Sequence, residues 1–528
     1  MLWVVRNSRM REKGGVVNKR TKIIGTLGPA TESETTIHAM IVAGMDLARL
    51  NFSHGTHEEH RAHIDNLKKV REELDLPIGI ILDTKGPCVR TGLLQNEGPV
   101  KLYAGKQLVL TEEDVPGTAA RIHQTFPGLH EYVQTGSTIL LDDGLIELAV
   151  DKVDGTDILC TVQNPGTLGQ RKQLNIPDIT IPLPIITEQD ERDLRFGIEM
   201  GVDYIAASFV RNAEDVRAIR TFLDKNGGTN IDIMSKIENA QAVENIDEII
   251  EASDAIMVAR GDLGVEVDPA SVPHLQKKIV KACNRAFCPV VIATHMLDSM
   301  IHHPHPTRAE VADVANAIYD GADAVMLSGE TAIGTYPQLA VQTMARIAEA
   351  SEPYLLAEHP VPSRSEKHAR VSPMIAYAAA ATAESLEAHG IVTPTLTGRT
   401  PRLVSAFRPK VPIFAVTSTE EVARKLSLCW GVRAICGKNQ GDPAQVLSSS
   451  QQAVLDAYLM NPGDIAVFTL GDRRTSPEAS NLAVGSSQRI VHATNVLEVV
   501  QVKATPSAGA HCDTNEEPSS CQECGVTC

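Results

Sequence analysis

The chain has 528 residues, of which 43% are hydrophobic, 22% charged and 4% aromatic, and its formal net charge is −17. The length exceeds one compact core and calls for about two to four domains. The acidic balance excludes sequence-independent binding to nucleic acid, which needs a basic field, and no apolar run approaches the roughly 18–20 residues of a membrane span.

The first twenty residues, "MLWVVRNSRMREKGGVVNKR", are basic but lack the apolar centre of a secretory signal. An Arg-rich organellar presequence is the alternative, disfavoured because a strand-like run follows at once. Six of the ten cysteines are scattered, several in apolar contexts such as Cys160 and Cys283, which fits a reducing, intracellular setting.

Eight short β-rich runs follow in order: Thr21–Pro29, Asp46–His54, Pro77–Thr84, Val202–Val210, Ile231–Glu238, Ala255–Gly264, Pro289–Met296 and Ala324–Thr331. Amphipathic segments of helical period lie between them, among them "SVPHLQKKIVKACNRAF". Strand and helix alternating at about 25–35 residues predict βα units around a parallel sheet, and eight units predict a closed (β/α)8 TIM barrel. A doubly wound open sheet competes, but no Gly-rich dinucleotide loop follows the first strand.

Between the third and fourth runs the character changes. Gly86 to Leu183 is β-rich with turn signals and reads as an all-β insertion, closed by the return "NIPDITIPLPIIT". After the barrel, an alanine-rich helix around Ala376–Leu386 opens a small α/β domain with strands "GIVTPTL", "VPIFAVT", "VRAIC" and "DIAVFTLG", and a further strand at "VHATNV". The expected division is 1–86 and 184–354 for the barrel, 87–183 for a β-barrel lid, 355–503 for a C-terminal α/β domain and 504–528 for a tail. That tail brings together His511, Cys512, Cys521, Cys524 and Cys528. Cys521-x-x-Cys524 has zinc-ligand spacing, but the polar, Pro/Ser-rich surroundings favour a disordered tail.

The reactive face of such a barrel is at the strand C-termini. Those ends supply Arg49, Asn51, Ser53 and His54; Asp83, Thr84 and Lys85; Lys236 and Glu238; Arg260, Gly261 and Asp262; Thr294; Ser328 and Glu330. Such a gathering of cations, carboxylates and hydroxyls on one rim predicts an active site. Glu238 and Asp262, on adjacent strand ends, suit Mg²⁺, which keeps waters and takes phosphate oxygens as further ligands; taken singly, each carboxylate would simply pair with a neighbouring cation. Lys236, two residues from Glu238 and on the same strand face, would neutralise a transferring phosphoryl group, and Arg49 would grip phosphate oxygens with its fork. Asn51, Ser53, Asp83 and the Thr84 carbonyl form an all-oxygen set suited to a monovalent cation.

The stretches "RTKIIGTLGPATES", "ARLNFSHG", "LDTKGP", "SKIENAQAVENIDEII", "MVARGDLGVE" and "PTRAEVADVANAIYDGADAVMLSGETAIGTYP" closely resemble pyruvate kinase, in the family's order and over residues 20–500. The resemblance implies a barrel interrupted after its third strand by a mobile β domain. It implies transfer of phosphate from phosphoenolpyruvate to ADP, giving pyruvate and ATP, in a cytoplasmic homotetramer. By motif, Lys236 would stabilise the phosphoryl group in flight, Glu238 and Asp262 would hold Mg²⁺ or Mn²⁺, and Arg49, Gly261, Asp262 and Thr294 would line the phosphoenolpyruvate site. Asn51, Ser53, Asp83 and Thr84 would hold K⁺, and Asn51, His54, Arg90 and Lys172 would contact the nucleotide.

Three positions depart from the family. Cys88 stands where it usually has Glu or Lys, which leaves the degree of K⁺ stimulation open. His295 stands where Gln is general, read as a packed or interface residue with a pH-sensitive contact as the sharper alternative. "TLTGRT" resembles a sugar-phosphate loop, so Thr395, Thr397, Arg399 and Thr400 are candidates for a phosphorylated effector, with a plain helix cap as the rival. The second half of that site, at "LGDRRTSPEAS", does not match the family. Two other functions compete: a silent binder of phosphoenolpyruvate or nucleotide, and a lyase using Lys236 as a Schiff-base nucleophile.

Overall fold

A computed structural model of the chain describes residues 18–177, 179, 181–358, 371–437, 442–471 and 494–503. The basic N-terminus, the Cys-rich tail and the segment from Asp472 lie outside these residues, so the readings made for them stand as expectations.

Eight parallel strands close into a barrel: Lys22–Thr26, Leu47–Asn51, Gly79–Asp83, Tyr204–Ala207, Asp232–Ile237, Ala255–Ala259, Val290–Ala293 and Ala324–Leu327, each beside its sequence neighbours and the last beside the first. Each of the eight expected runs contains one. All but Asn51 at the end of the second are buried throughout, because helices cover the outside and side chains fill the inside. Ile24, Leu47, Ile81, Tyr204, Met234, Met257, Val291 and Met326 pack the interior.

At the opposite end from the candidate site, aspartates organise the strand starts. Asp46, Asp203, Asp254 and Asp323 accept the amides of Ile23, Ile80, Ile233 and Val290 at 2.8–3.0 Å. Amides at a strand start lack ladder partners, and a buried one left bare is costly. The C-terminal domain docks cations onto the same layer: Arg402 meets Asp232 at 2.6 Å, Arg408 meets Asp323 at 2.7 Å and Arg424 meets Asp203 at 2.9 Å. Leu428 of that domain joins the barrel's interior cluster.

The insertion folds as a seven-stranded sheet with its own core, including Leu108, Leu110, Ile139, Leu141 and Ile158. A bridge from Thr91 to Gln124 joins its two edges, so the sheet curls towards a barrel. The C-terminal domain is a five-stranded sheet ordered Val432–Cys436, Ile413–Thr417, Gly390–Thr395, Ile465–Leu470 and Val496–Gln501, the last antiparallel. This final strand begins at the last residue of "VHATNV", whose first three residues lie outside the described residues.

Candidate active site

Lys236, in the fifth strand, points into the barrel mouth and is 8% exposed. Its Nζ donates to Ser208 Oγ at 2.8 Å and pairs with Glu238 Oε1 at 2.8 Å and Asp83 Oδ1 at 3.2 Å. Asp83 in turn receives Arg49 Nε at 2.6 Å, and Arg49 Nη1 reaches Thr26 Oγ1 at 3.1 Å. Four barrel strands and the loop after the fourth thus meet in one buried network of two cations and two carboxylates. A buried charge is tolerated only when paired and hydrogen-bonded, and here the charges balance.

The network sets the protonation states. Burial pushes the Lys236 ammonium down, but Asp83, Glu238 and Asp262 more than offset it and hold it above its ordinary value. Burial raises Asp83, and Arg49 and Lys236 overcome that to hold it below the usual carboxylate range. Glu238 is different: burial, aided by Asp262 and opposed by Lys236, pushes it up to about 7.

Glu238 Oε2 accepts the Phe209 amide at 2.6 Å, whereas its fully buried Oε1 faces Lys236 without an aligned hydrogen-bond donor. Asp262 is charge-coupled to Glu238 and Lys236 in the same pocket. An oxygen-only pair with one unsaturated buried lone pair suits a hard divalent cation. Among the described residues no three His, Cys, Asp or Glu side chains converge as an all-protein metal cage.

Thr294, just beyond the seventh strand, donates Oγ1 to the Ala293 carbonyl at 2.6 Å and accepts the Gly261 amide at 2.8 Å. Gly261 and Asp262 lie in the first turn of the helix Arg260–Glu266, which follows the sixth strand directly. Thr294, Gly261, Asp262, Lys236 and Arg49 therefore surround one mouth.

Asn51 and Asp83 are register partners on adjacent strands, and Asn51 Oδ1 accepts the Ser53 amide at 3.1 Å. The Thr84 carbonyl accepts Ser208 Oγ at 2.7 Å. These oxygens form a contiguous set, though Asp83 already serves Arg49 and Lys236.

His54 stands exposed at the mouth. Partial burial, then the Arg90, Arg49, Lys172 and Lys85 cations, hold its imidazole below the ordinary value. The lid residues Arg90 and Lys172 thus face the barrel residue His54. Arg90 Nε reaches Cys88 Sγ at 3.1 Å and Lys172 pairs with Asp142 at 2.8 Å. Asn175 Nδ2 donates to Glu266 Oε1 at 2.6 Å, a direct lid-to-barrel contact.

Two residues were missed by sequence reasoning. Ser208 links Lys236, Asp83 and Thr84, and "AASFV" gave no signal because a lone serine after an apolar strand is common. Asp143 lies on the lid, where partial burial and then Asp262 and Asp142 raise its carboxyl. Its signal was the run Asp142, Asp143 and Gly144, all left-handed. Glu330, by contrast, is a brace: its oxygens accept the Ser328 and Leu297 amides at 2.7 and 3.0 Å. His295 is exposed on the rim of this chain rather than packed.

The effector candidates lie together, far along the chain from this mouth. Thr395 Oγ1 accepts the Gly398 amide at 2.9 Å, and Thr400 hydrogen-bonds Thr494. Thr397 is exposed and Arg399 opens the helix Arg399–Ala406.

The sequence model described as "Pyruvate kinase, barrel domain" matches residues 18–341, and that described as "Pyruvate kinase, alpha/beta domain" matches residues 374–484. The chain belongs to the pyruvate kinase family. It is 48% identical over 456 residues to the pyruvate kinase of Bacillus licheniformis, covering 86% of this chain and 78% of that one. To the pyruvate kinase of Clostridium acetobutylicum it is 47% identical over 459 residues, covering 86% and 96%. The crystal structure of a Cryptosporidium parvum pyruvate kinase superposes with a TM-score of 0.82 at 37% identity, over 92% of this chain and 97% of that one. The barrel, the inserted β domain and the C-terminal sheet are therefore the family's architecture.

Proposed function

We propose that the chain transfers the phosphoryl group of phosphoenolpyruvate to ADP, giving pyruvate and ATP. The observation that carries this reading is the buried Lys236 ammonium, kept charged by Asp83 and Glu238 at the mouth where Arg49, Gly261 and Thr294 converge. An ADP β-phosphate oxygen forms the new P–O bond as the bond to the enol oxygen breaks. Lys236 neutralises the charge spread over the phosphoryl oxygens and then the enolate left behind. Protonation of that enolate at carbon yields pyruvate. Arg49 orients the phosphoryl group, while the Gly261 amide and Thr294 hydroxyl turn to the substrate carboxylate from the bonds to Thr294 Oγ1 and the Ala293 carbonyl that they make in the free site. Asn51, His54, Arg90 and Lys172 contact the nucleotide.

Glu238 and Asp262 would hold Mg²⁺ or Mn²⁺, which would supply Lewis-acid charge to phosphate oxygens. Asn51, Ser53, Asp83 and Thr84 would hold K⁺, which would add positive charge to the phosphate-binding site. Lid closure through Asn175 and Glu266 excludes water that would otherwise hydrolyse the phosphoryl donor. The protein works in the cytoplasm as a homotetramer, with Thr395, Thr397, Arg399 and Thr400 as the site of a small phosphorylated effector. Among the described residues no helix is long and apolar enough to cross a membrane.

A Schiff-base role for Lys236 is disfavoured, because nucleophilic lysines are depressed in pKa and this one is raised. Incubation with phosphoenolpyruvate, ADP, Mg²⁺ and K⁺, followed by ³¹P NMR, is expected to show ATP formed in step with donor loss. Borohydride trapping of pyruvate on Lys236 without ATP formation would replace this reading with the lyase.

A further inference from the structure

The backbone around Thr294 is strained. Thr294 and His295 both adopt left-handed φ, at 69° and 53°. A β-branched residue such as Thr294 in that region is an outlier, and two left-handed non-glycine residues in succession persist only where surrounding structure imposes them. Neither residue is glycine, so the cause must lie in the contacts.

Those contacts centre on Arg260. Ala259 and Ala293 are register partners, which puts Arg260 beside Thr294 across the sheet. Its Nη2 donates to the Thr294 carbonyl at 2.7 Å and touches Met296 Sδ at 2.8 Å, while its Nε reaches the Ala293 carbonyl at 3.3 Å. The planar fork therefore spans both sides of the peptide that turns left. The remaining nitrogen, Nη1, is tied to Asp313 Oδ1 at 2.7 Å, with Gln276 Oε1 at 3.5 Å. The Arg260 side chain is 12% exposed and that of Asp313 37%, so the clamp is enclosed and its anchor reaches solvent.

We propose that Arg260, anchored by Asp313, is a positioning residue for substrate-carboxylate binding, holding the Thr294–His295 turn in the shape that presents the Thr294 hydroxyl to the Gly261 amide. This rests on the phosphoenolpyruvate reading above. Arg260 acts through Thr294: its three nitrogens face backbone carbonyls, a thioether and the carboxamide and carboxylate behind it. A lysine cannot reproduce this, because it lacks a fork to span two carbonyls while paired to a carboxylate. With the clamp weakened, the turn relaxes towards ordinary φ and the hydroxyl leaves its register with Gly261.

The test compares parent, Arg260→Lys, Asp313→Asn and Arg260→Lys/His295→Gly. Steady-state kinetics are combined with calorimetric titration of phosphoenolpyruvate in Mg²⁺. Asp313 reaches solvent and lies outside the mouth, so its asparagine variant keeps the comparison valid where an Arg260 variant folds poorly. The expected result is a rise of about tenfold in the phosphoenolpyruvate KM and Kd for Arg260→Lys, and a smaller rise for Asp313→Asn, with the ADP KM within about twofold. Glycine at 295 makes the left-handed turn inexpensive and is expected to restore about threefold of the lost affinity. Equal changes in both substrates' KM, or no recovery with His295→Gly, would overturn the positioning role and leave Arg260 a structural ion pair. A parent that binds phosphoenolpyruvate and forms pyruvate, with variants that match it, overturns this inference alone. A parent that does neither overturns the functional reading and this inference together.

Discussion

Lys236 presents three N–H groups; one makes an aligned hydrogen bond to Ser208 Oγ, and Glu238 and Asp83 pair with the ammonium by charge. Ser208→Ala removes one aligned acceptor without changing charge. It is expected to lower kcat by about tenfold, the value of one such contact, with little change in the ADP KM; an unchanged kcat would show that Asp83 and Glu238 suffice. Glu238 supplies a pH prediction. Its folded-state pKa, about 7, stands above the ordinary 4.5, so between these values the folded metal-free protein binds the proton that the unfolded chain releases. Its stabilising contribution is complete below about 4.5 and declines as pH rises through about 7. Glu238→Gln is therefore expected to gain stability relative to the parent at pH 8 but not at pH 5, read from denaturant midpoints without metal. Equal differences at both pH values would contradict the assignment. The Lys236–Glu238 contact was legible because a strand places residues two apart on one face. Ser208 and Asp83's double duty were not, because they depend on which strand ends lie side by side.

At the scale of elements, strand periodicity located the barrel because buried parallel strands are continuously apolar, and "PVVIATHM" shows this as plainly as "PIGIILDT". The aspartate layer at the strand starts stayed hidden, since a single Asp before a strand looks like any turn residue. Its energetic weight is testable. Arg408 is 2% exposed and faces Asp323 at 2.7 Å across the domain boundary. Arg408→Met leaves that carboxylate buried and short of its cation, and is expected to cost about 3–5 kcal/mol in urea unfolding. A loss below about 1 kcal/mol would mean that the Val290 and Trp430 amides satisfy Asp323 without it. The lid contact gives a second prediction: Asn175→Ala removes its bond to Glu266 and should raise phosphoenolpyruvate hydrolysis relative to ATP formation, measured as phosphate released without ADP. An unchanged ratio would show that the lid closes without it.

For the whole molecule, an acidic chain of net charge −17 gathers Arg49, Lys236, Arg90, Lys172 and Lys85 around one mouth, where partial burial and the Arg90, Arg49, Lys172 and Lys85 cations depress His54. A local cationic pocket of this kind binds phosphates despite the overall charge, as field lines focus in a low-dielectric cleft. The barrel and the inserted lid each bring part of that pocket, so the site needs both, while the C-terminal domain braces the opposite end of the barrel. The measurement that tests this most directly is pyruvate formation from phosphoenolpyruvate and ADP, coupled to lactate dehydrogenase in Mg²⁺ and K⁺, for the parent and Lys236→Met side by side. Robust turnover in the parent and a loss of at least about 10²–10³-fold in the variant, with the lysine's folded partners intact by circular dichroism, is the predicted result. Comparable rates in the two proteins would contradict the assignment of phosphoryl transfer to Lys236.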